Sequence, residues 1–158
     1  MPELPEVETI KTAIERSIGC CRIRSAEIRN GHLRLPVPGN LPAKIKGAGI
    51  TGYRRIAKYI VLELDNGTSL IMHMGMSGKI RLLDAYPNPP EKHDHVILET
   101  ENGCIVYNDA RRFGLIVCCN TANLPENPLL KKIGKDPFDD QLTPTYLHDK
   151  FRHKKIPV

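Results

Sequence analysis

Eight short runs of β-branched and apolar residues follow one another through the middle of the chain, at residues 21–28, 44–50, 59–64, 69–74, 79–83, 95–100, 104–107 and 115–119. Each is the length of a strand rather than of a helix, and turn-forming residues separate them. Two junctions carry Asn-Gly, at Asn66-Gly67 and Asn102-Gly103. Asparagine and glycine both tolerate the left-handed backbone of the two-residue turns whose twist matches antiparallel neighbours, so each pair predicts a hairpin. Strands this short bury their apolar side chains only when one sheet covers another. The expected fold is therefore mainly β with flanking helices: an antiparallel β-sandwich of about eight strands. Aromatic residues make up only 5% of the chain, which leaves an aliphatic core.

Helical spacing appears before this region and after it. Val7, Ile10, Ile14 and Ile18 recur every three or four residues with Glu8, Lys11, Glu15 and Arg16 between them, which predicts an amphipathic helix over 5–18. Pro5 suits its first turn and Gly19 its end. Prolines at 125, 128 and 137 mark a surface stretch. Thr143-Pro144 then reads as the cap and first residue of a second helix near the C-terminus, running to about 153. Residues 156–158, after the basic run 152–155, read as a linker cut short.

A length of 158 residues fits one ordinary domain. No apolar run approaches the ~20 residues of a membrane helix, and Glu3 and Glu6 stand where a signal peptide would be basic. The expectation is a soluble, unexported protein without a membrane partner. Five cysteines, in an odd set with no Cys-x-x-Cys spacing, read as reduced cytosolic thiols rather than as a structural zinc site. The net charge of +5 is uneven, with 11 Lys/Arg against 5 Asp/Glu in residues 1–60 and 12 against 13 in the remainder. A basic half suggests a polyanionic partner, or else a solvated basic face.

Several clusters have residue types suited to chemistry. Removal of Met1 would leave Pro2 with a secondary amine, whose pKa near ~8 keeps a sizeable neutral, nucleophilic fraction at physiological pH, unlike a lysine near ~10.4. Glu3 beside it is placed to move protons, and Glu6 to order the site or cap backbone amides. The plain alternative is a proline-led helix start with acidic residues favoured by the helix dipole. Arg54, Arg55 and Lys58 place three cations at a strand entrance, as a phosphate clamp or an exposed basic edge. Met76 lies between Gly75 and Gly78 after His73, either as a wedge for a base stack or as core filling. His93 and His95 are spaced to share a strand face, but no third metal ligand is evident, so phosphate contact or turn structure is favoured. Arg111 and Phe113 suit a base edge and a base stack, whereas the structural alternative pairs Asp109 with an arginine and buries Phe113.

Taken in order, Met-Pro-Glu-Leu-Pro-Glu-Val-Glu-Thr at 1–9, Arg-Arg-x-Ala-Lys-Tyr at 54–59, His-x-Gly-Met-Ser-Gly at 73–78, Lys-His-Asp-His-Val at 92–96 and Asp-x-Arg-Arg-Phe-Gly at 109–114 resemble the bacterial formamidopyrimidine-DNA glycosylases. The resemblance covers essentially the whole chain. It implies a bifunctional base-excision repair enzyme that removes oxidised purines, chiefly 8-oxoguanine and formamidopyrimidines, and nicks the abasic strand by β,δ-elimination. It further implies Pro2 as the Schiff-base nucleophile, Glu3 as general acid/base, and Lys58 as the lysine of β-elimination and phosphate contact. Glu6 is implied only in support. His73 and His93 would touch backbone phosphates. Met76, Arg111 and Phe113 would fill the void left by the flipped nucleotide, with Arg111 facing the orphaned cytosine.

The implied organisation is a catalytic unit over 1–142, with 143–158 a helix and the start of a linker. The family continues with a helix-two-turn-helix part and a C-terminal zinc finger, so zinc and further phosphate contacts belong outside this chain and no cofactor is expected within it. The implied partner is damaged double-stranded DNA, met by a monomer in the bacterial cytoplasm at the nucleoid. Ala110 departs from the proline usual before the paired arginines. Two other readings stand beside this one: an endonuclease VIII-type glycosylase for oxidised pyrimidines, and a non-catalytic damaged-DNA-binding remnant.

Overall fold

A computed structural model of the chain describes residues 1–155. Helix α1 (Leu4–Ile18) buries Val7, Ile14 and Ile18 along one face, as the apolar spacing predicts, with Pro5 in its first turn. It ends where Gly19 reaches φ +61°, in the left-handed region. The eight strands are β1 (Ile23–Ile28), β2 (Ile50–Ile56), β3 (Tyr59–Leu64), β4 (Thr68–His73), β5 (Gly78–Leu83), β6 (Asp94–Thr100), β7 (Gly103–Asp109) and β8 (Leu115–Asn120). They form two four-stranded sheets, ordered β1-β6-β7-β5 and β2-β3-β4-β8, and every pairing is antiparallel. Both Asn-Gly pairs turn hairpins, joining β3 to β4 and β6 to β7, with Gly67 and Gly103 at positive φ.

Alternation along the strands sorts residues between two layers. Ile60, Leu62, Leu70 and Met72 of one sheet face Val96, Leu98, Ile105 and Tyr107 of the other in a common aliphatic core that α1 also enters. Each such side chain removed from water contributes about 1.5–3 kcal/mol. The odd-numbered Val61 and Ile71 point to the opposite face of their sheet. There they meet Leu124 and Leu130, both buried, which anchor the proline-rich stretch; the stretch otherwise lies at the surface as expected, with Pro125, Pro128 and Pro137 exposed. Its prolines keep it out of the sheet but leave its apolar side chains free to pack.

Two expectations need correction. The strand expected at 44–50 is absent: helix α2 (Leu41–Ile45) takes in its first two residues, with Leu41 and Ile45 buried one turn apart and a proline in its first turn. The alternation of Ile45, Ala48 and Ile50 with Lys and Gly in 44–50 concealed a helical spacing that starts three residues earlier, at Leu41. Strand β2 consequently begins at Ile50 and contains Arg54 and Arg55 near its end, rather than these residues leading into the following strand. Helix α3 (Pro144–Phe151) starts as expected, with the Thr143 hydroxyl accepting the Tyr146 N–H at 3.1 Å, and stops two residues early. The linker expected at 156–158 lies outside the described residues. Among the described residues, no helix is long and apolar enough to cross a membrane.

Candidate active site

Strand register collects the singled-out residues at one end of the sandwich. The β2–β3 hairpin turns over Ala57-Lys58, because Ile56 pairs with Tyr59. Ala57 takes φ +51°, which costs a non-glycine residue about 1–2 kcal/mol. Tyr59 is paired with His73 at the end of β4, and His73 in turn with Leu115 at the start of β8. In the other sheet, Gly78 at the start of β5 is paired with Asp109 at the end of β7, and the Asp109 N–H donates to the His93 carbonyl at 3.0 Å. Lys58, His73, Met76, His93, Arg111 and Phe113 thus leave the two sheets at the same end.

The start of α1 reaches this end as well. Lys58 Nζ stands 2.6 Å from Glu3 Oε2, and the Glu6 carboxylate accepts the Glu3 backbone N–H at 2.7 Å. This last bond satisfies one of the amides orphaned at a helix start, so Glu6 caps the segment that carries Pro2 and Glu3. Pro2, Glu6 and Ile10 line a cavity of about 510 Å³ whose other wall includes Met76, Lys79 and Arg81. The nitrogen of Pro2 is an amide while Met1 precedes it and becomes a secondary amine only when that residue is removed.

Of the three clustered cations, only Lys58 stays at this site. Arg54 pairs with Glu63 at 3.0 Å on the exposed face of the hairpin. The Arg55 side chain is 9% exposed and bonds Glu8 of α1 and Asp136 at 2.7 Å each, along with the Ala57 carbonyl at 3.3 Å. It therefore ties α1, the turn and the 134–137 segment together instead of presenting its charge to a phosphate.

His73 Nδ1 accepts the Gly75 N–H at 2.9 Å, so the neutral ring carries its proton on Nε2 and has one donor left. Its ring lies 4.8 Å from that of Tyr59. Burial, followed by the nearby charges of Arg34 and Lys58, pushes its pKa below the usual 6.5. His93 is half-buried, with its ring 6.2 Å from that of His95. His95 is buried and donates from Nε2 to the Asp109 carbonyl at 2.7 Å, which makes it a structural histidine.

Met76 and Phe113, 52% and 44% exposed, are not core residues, and the Arg111 guanidinium lies 4.7 Å from the centre of the Phe113 ring. Asp109 is wholly buried and pairs with no arginine side chain; its carboxylate accepts the Ser77 hydroxyl at 2.6 Å and the Gly114 N–H at 2.8 Å. A Cβ on Gly75 would sit 2.4 Å from the Phe113 carbonyl carbon, so the two loops touch backbone to backbone. Sequence reasoning missed Arg34, whose N–H bonds the Gly114 carbonyl at 3.0 Å, because only the tertiary fold brings its loop here. It likewise missed Arg81 in the cavity wall; Ser77 stood in a noted motif, but nothing in the motif showed its partner.

The arrangement offers an incipient amine, a carboxylate–lysine pair, a neutral imidazole donor, and exposed apolar and guanidinium tips at one end of the sandwich, where Pro2 and Met76 line a cavity. The model of the formamidopyrimidine-DNA glycosylase N-terminal domain matches residues 1–116. The chain belongs to the formamidopyrimidine-DNA glycosylase family. The formamidopyrimidine-DNA glycosylase of Rhizobium etli is 39% identical over 173 residues, covering 100% of this chain and 58% of that protein. That of Legionella pneumophila is 44% identical over 155 residues, covering 98% and 56%. Among solved structures, Lactococcus lactis formamidopyrimidine-DNA glycosylase non-covalently bound to DNA containing an AP site superposes with a TM-score of 0.85 at 32% identity, covering 96% of this chain and 58% of that one. MutM in complex with DNA containing carbocyclic 8-oxo-G gives 0.84 at 33%, covering 96% and 57%. The chain thus spans somewhat more than half the length of these formamidopyrimidine-DNA glycosylases.

Proposed function

We propose that the chain is the catalytic part of a bifunctional DNA glycosylase and AP lyase that removes oxidised purines from damaged double-stranded DNA in base-excision repair. The observation that carries this reading is the Lys58–Glu3 ion pair at the amino terminus, beside a cavity lined by both Pro2 and Met76. With Met1 removed, the Pro2 nitrogen attacks C1′ of the damaged nucleotide and the bond from C1′ to the base breaks. The base leaves with the bonding electrons and takes up a proton, while loss of the amine proton and opening of the sugar leave an iminium at C1′. Glu3 moves these protons, and Lys58 holds it in place and contacts a backbone phosphate.

The iminium acidifies the C2′ hydrogen. Its removal expels the 3′ phosphate by β-elimination, and a second elimination expels the 5′ phosphate. A base stacked in a duplex shields C1′, so the nucleotide must leave the helix and something must occupy its place. Met76, Arg111 and Phe113 are assigned that task, with Arg111 toward the unpaired cytosine and His73 and His93 on flanking phosphates. Residues 1–142 form the catalytic unit in this reading and 143–158 lead out of it. The protein acts as a monomer in the cytoplasm.

An incision assay at low salt tests the reading, using duplexes with 8-oxoguanine opposite cytosine, an oxidised pyrimidine, or no lesion. Nicking of the 8-oxoguanine strand with phosphate on both new ends is expected. Preference for the oxidised pyrimidine would favour the endonuclease VIII-type activity. Binding without nicking, after confirmed removal of Met1, would favour a damage-binding remnant.

A further inference from the structure

The buried carboxylate of Asp109 has no role in the chemistry above, although three segments of the site end on it. Besides the Ser77 hydroxyl and the Gly114 N–H, its Oδ1 accepts the Arg111 N–H at 3.3 Å, and Ser77 Oγ accepts the same N–H at 3.1 Å. Its own carbonyl receives His95 Nε2 and the Arg112 N–H. No cation neutralises the carboxylate; hydrogen bonds alone hold it in place, and all of them come from the two loops that expose Met76 on one side and Arg111 and Phe113 on the other. Such a carboxylate loses its compensation if either loop withdraws, since an unsatisfied buried charge is costly. Contact of Gly75 with the Phe113–Gly114 backbone removes the free space in which one loop could slide past the other.

We infer that Asp109, acting through Ser77, makes the 74–78 and 110–114 loops one rigid probe, so that Met76 and Phe113 enter a DNA stack together or not at all. Asp109 and Ser77 are positioning residues: they touch no substrate and determine whether two tips that do touch it cooperate. This rests on the proposed function, which supplies the stack to be entered.

The test is a double-mutant cycle on the 158-residue chain, measuring affinity for a duplex with a non-reactive tetrahydrofuran abasic analogue. Met76→Ala, Phe113→Ala and the double variant are compared with Ser77 intact and again with Ser77→Ala, a milder change than any at Asp109 itself. With Ser77 present, each single variant is expected to weaken binding roughly tenfold and the double variant hardly more, because either truncation disables the joint probe. With Ser77→Ala the two losses should become multiplicative, at an unchanged melting temperature for the tip variants. A general structural role of Ser77 would lower all affinities alike and leave the coupling unchanged, which would overturn the inference while leaving the proposed function standing. Unweakened binding in both single variants would overturn both.

Discussion

Arg55 brings together in one side chain what holds the candidate site in shape. Its guanidinium joins α1 through Glu8, the Lys58 turn through the Ala57 carbonyl, and the 134–137 segment through Asp136. Since its carboxylate partners remain partly exposed, Arg55→Ala is expected to cost about 2–3 kcal/mol rather than the larger loss of a fully buried pair. The effect has a pH signature. Lys11 and then Arg55 hold Glu8 below its usual 4.5, against an opposing desolvation, while Arg55 and the Phe138 N–H hold Asp136 below its usual 3.8. Groups with depressed folded-state pKa values contribute stability above the unfolded values and lose it as pH falls through the folded ones. Stability of the native chain against urea should therefore fall below about pH 4.5, and that of Arg55→Ala should fall less steeply, retaining only the shares of Lys11 on Glu8 and of the Phe138 N–H on Asp136. Parallel curves would mean that Arg55 does not hold these carboxylates ionised.

Among the elements, the loops at the end of the sandwich are fixed by contacts more than by propensity. Gly114 is the tightest point: a Cβ there would lie 1.7 Å from Tyr107 Oη and 2.5 Å from the His73 carbonyl, and that carbonyl already accepts the tyrosine hydroxyl at 2.8 Å. Gly114→Ala should destabilise by about 3 kcal/mol or more in thermal or urea unfolding, whereas Gly39→Ala, with nothing within 4 Å, should change stability by under about 0.5 kcal/mol. Equal effects would mean the loops are not interlocked. The sequence made the Asn-Gly hairpins and α1 legible because both are local signals, a turn that wants positive φ and a repeat of 3.6. It concealed the Ala57-Lys58 turn, which has neither glycine nor asparagine and is held instead by Arg55 and the β2–β3 register. It concealed α2 for a related reason, since five residues are too few to establish a helical repeat. Pro2, Glu3, Lys58, Met76, Arg111 and Phe113 were legible as motifs, but the carboxylate under the loops was not, because Ser77 and Asp109 are 32 residues apart and meet only in the fold.

At the scale of the whole molecule, two sheets turn five separated motifs into one surface. Strand ends supply Lys58, His73, Met76, Arg111 and Phe113, and α1, packed into the sandwich through Val7, Ile14 and Ile18, delivers Pro2 and Glu3 to the same end. Of the eleven basic residues among the first 60, Arg34 and Lys58 lie close enough to His73 to depress its pKa. The proposed chemistry requires the fold to position the Pro2 amine as the nucleophile. Borohydride trapping on a duplex with an abasic site, at low salt and high protein, tests it most directly, with the amino-terminal mass read from the same sample. The expected result is a covalent adduct that maps to Pro2, forms only on chains that have lost Met1, and disappears when the amino terminus is blocked. An adduct on Lys58 or another lysine, or none at all on fully processed chains, would contradict it.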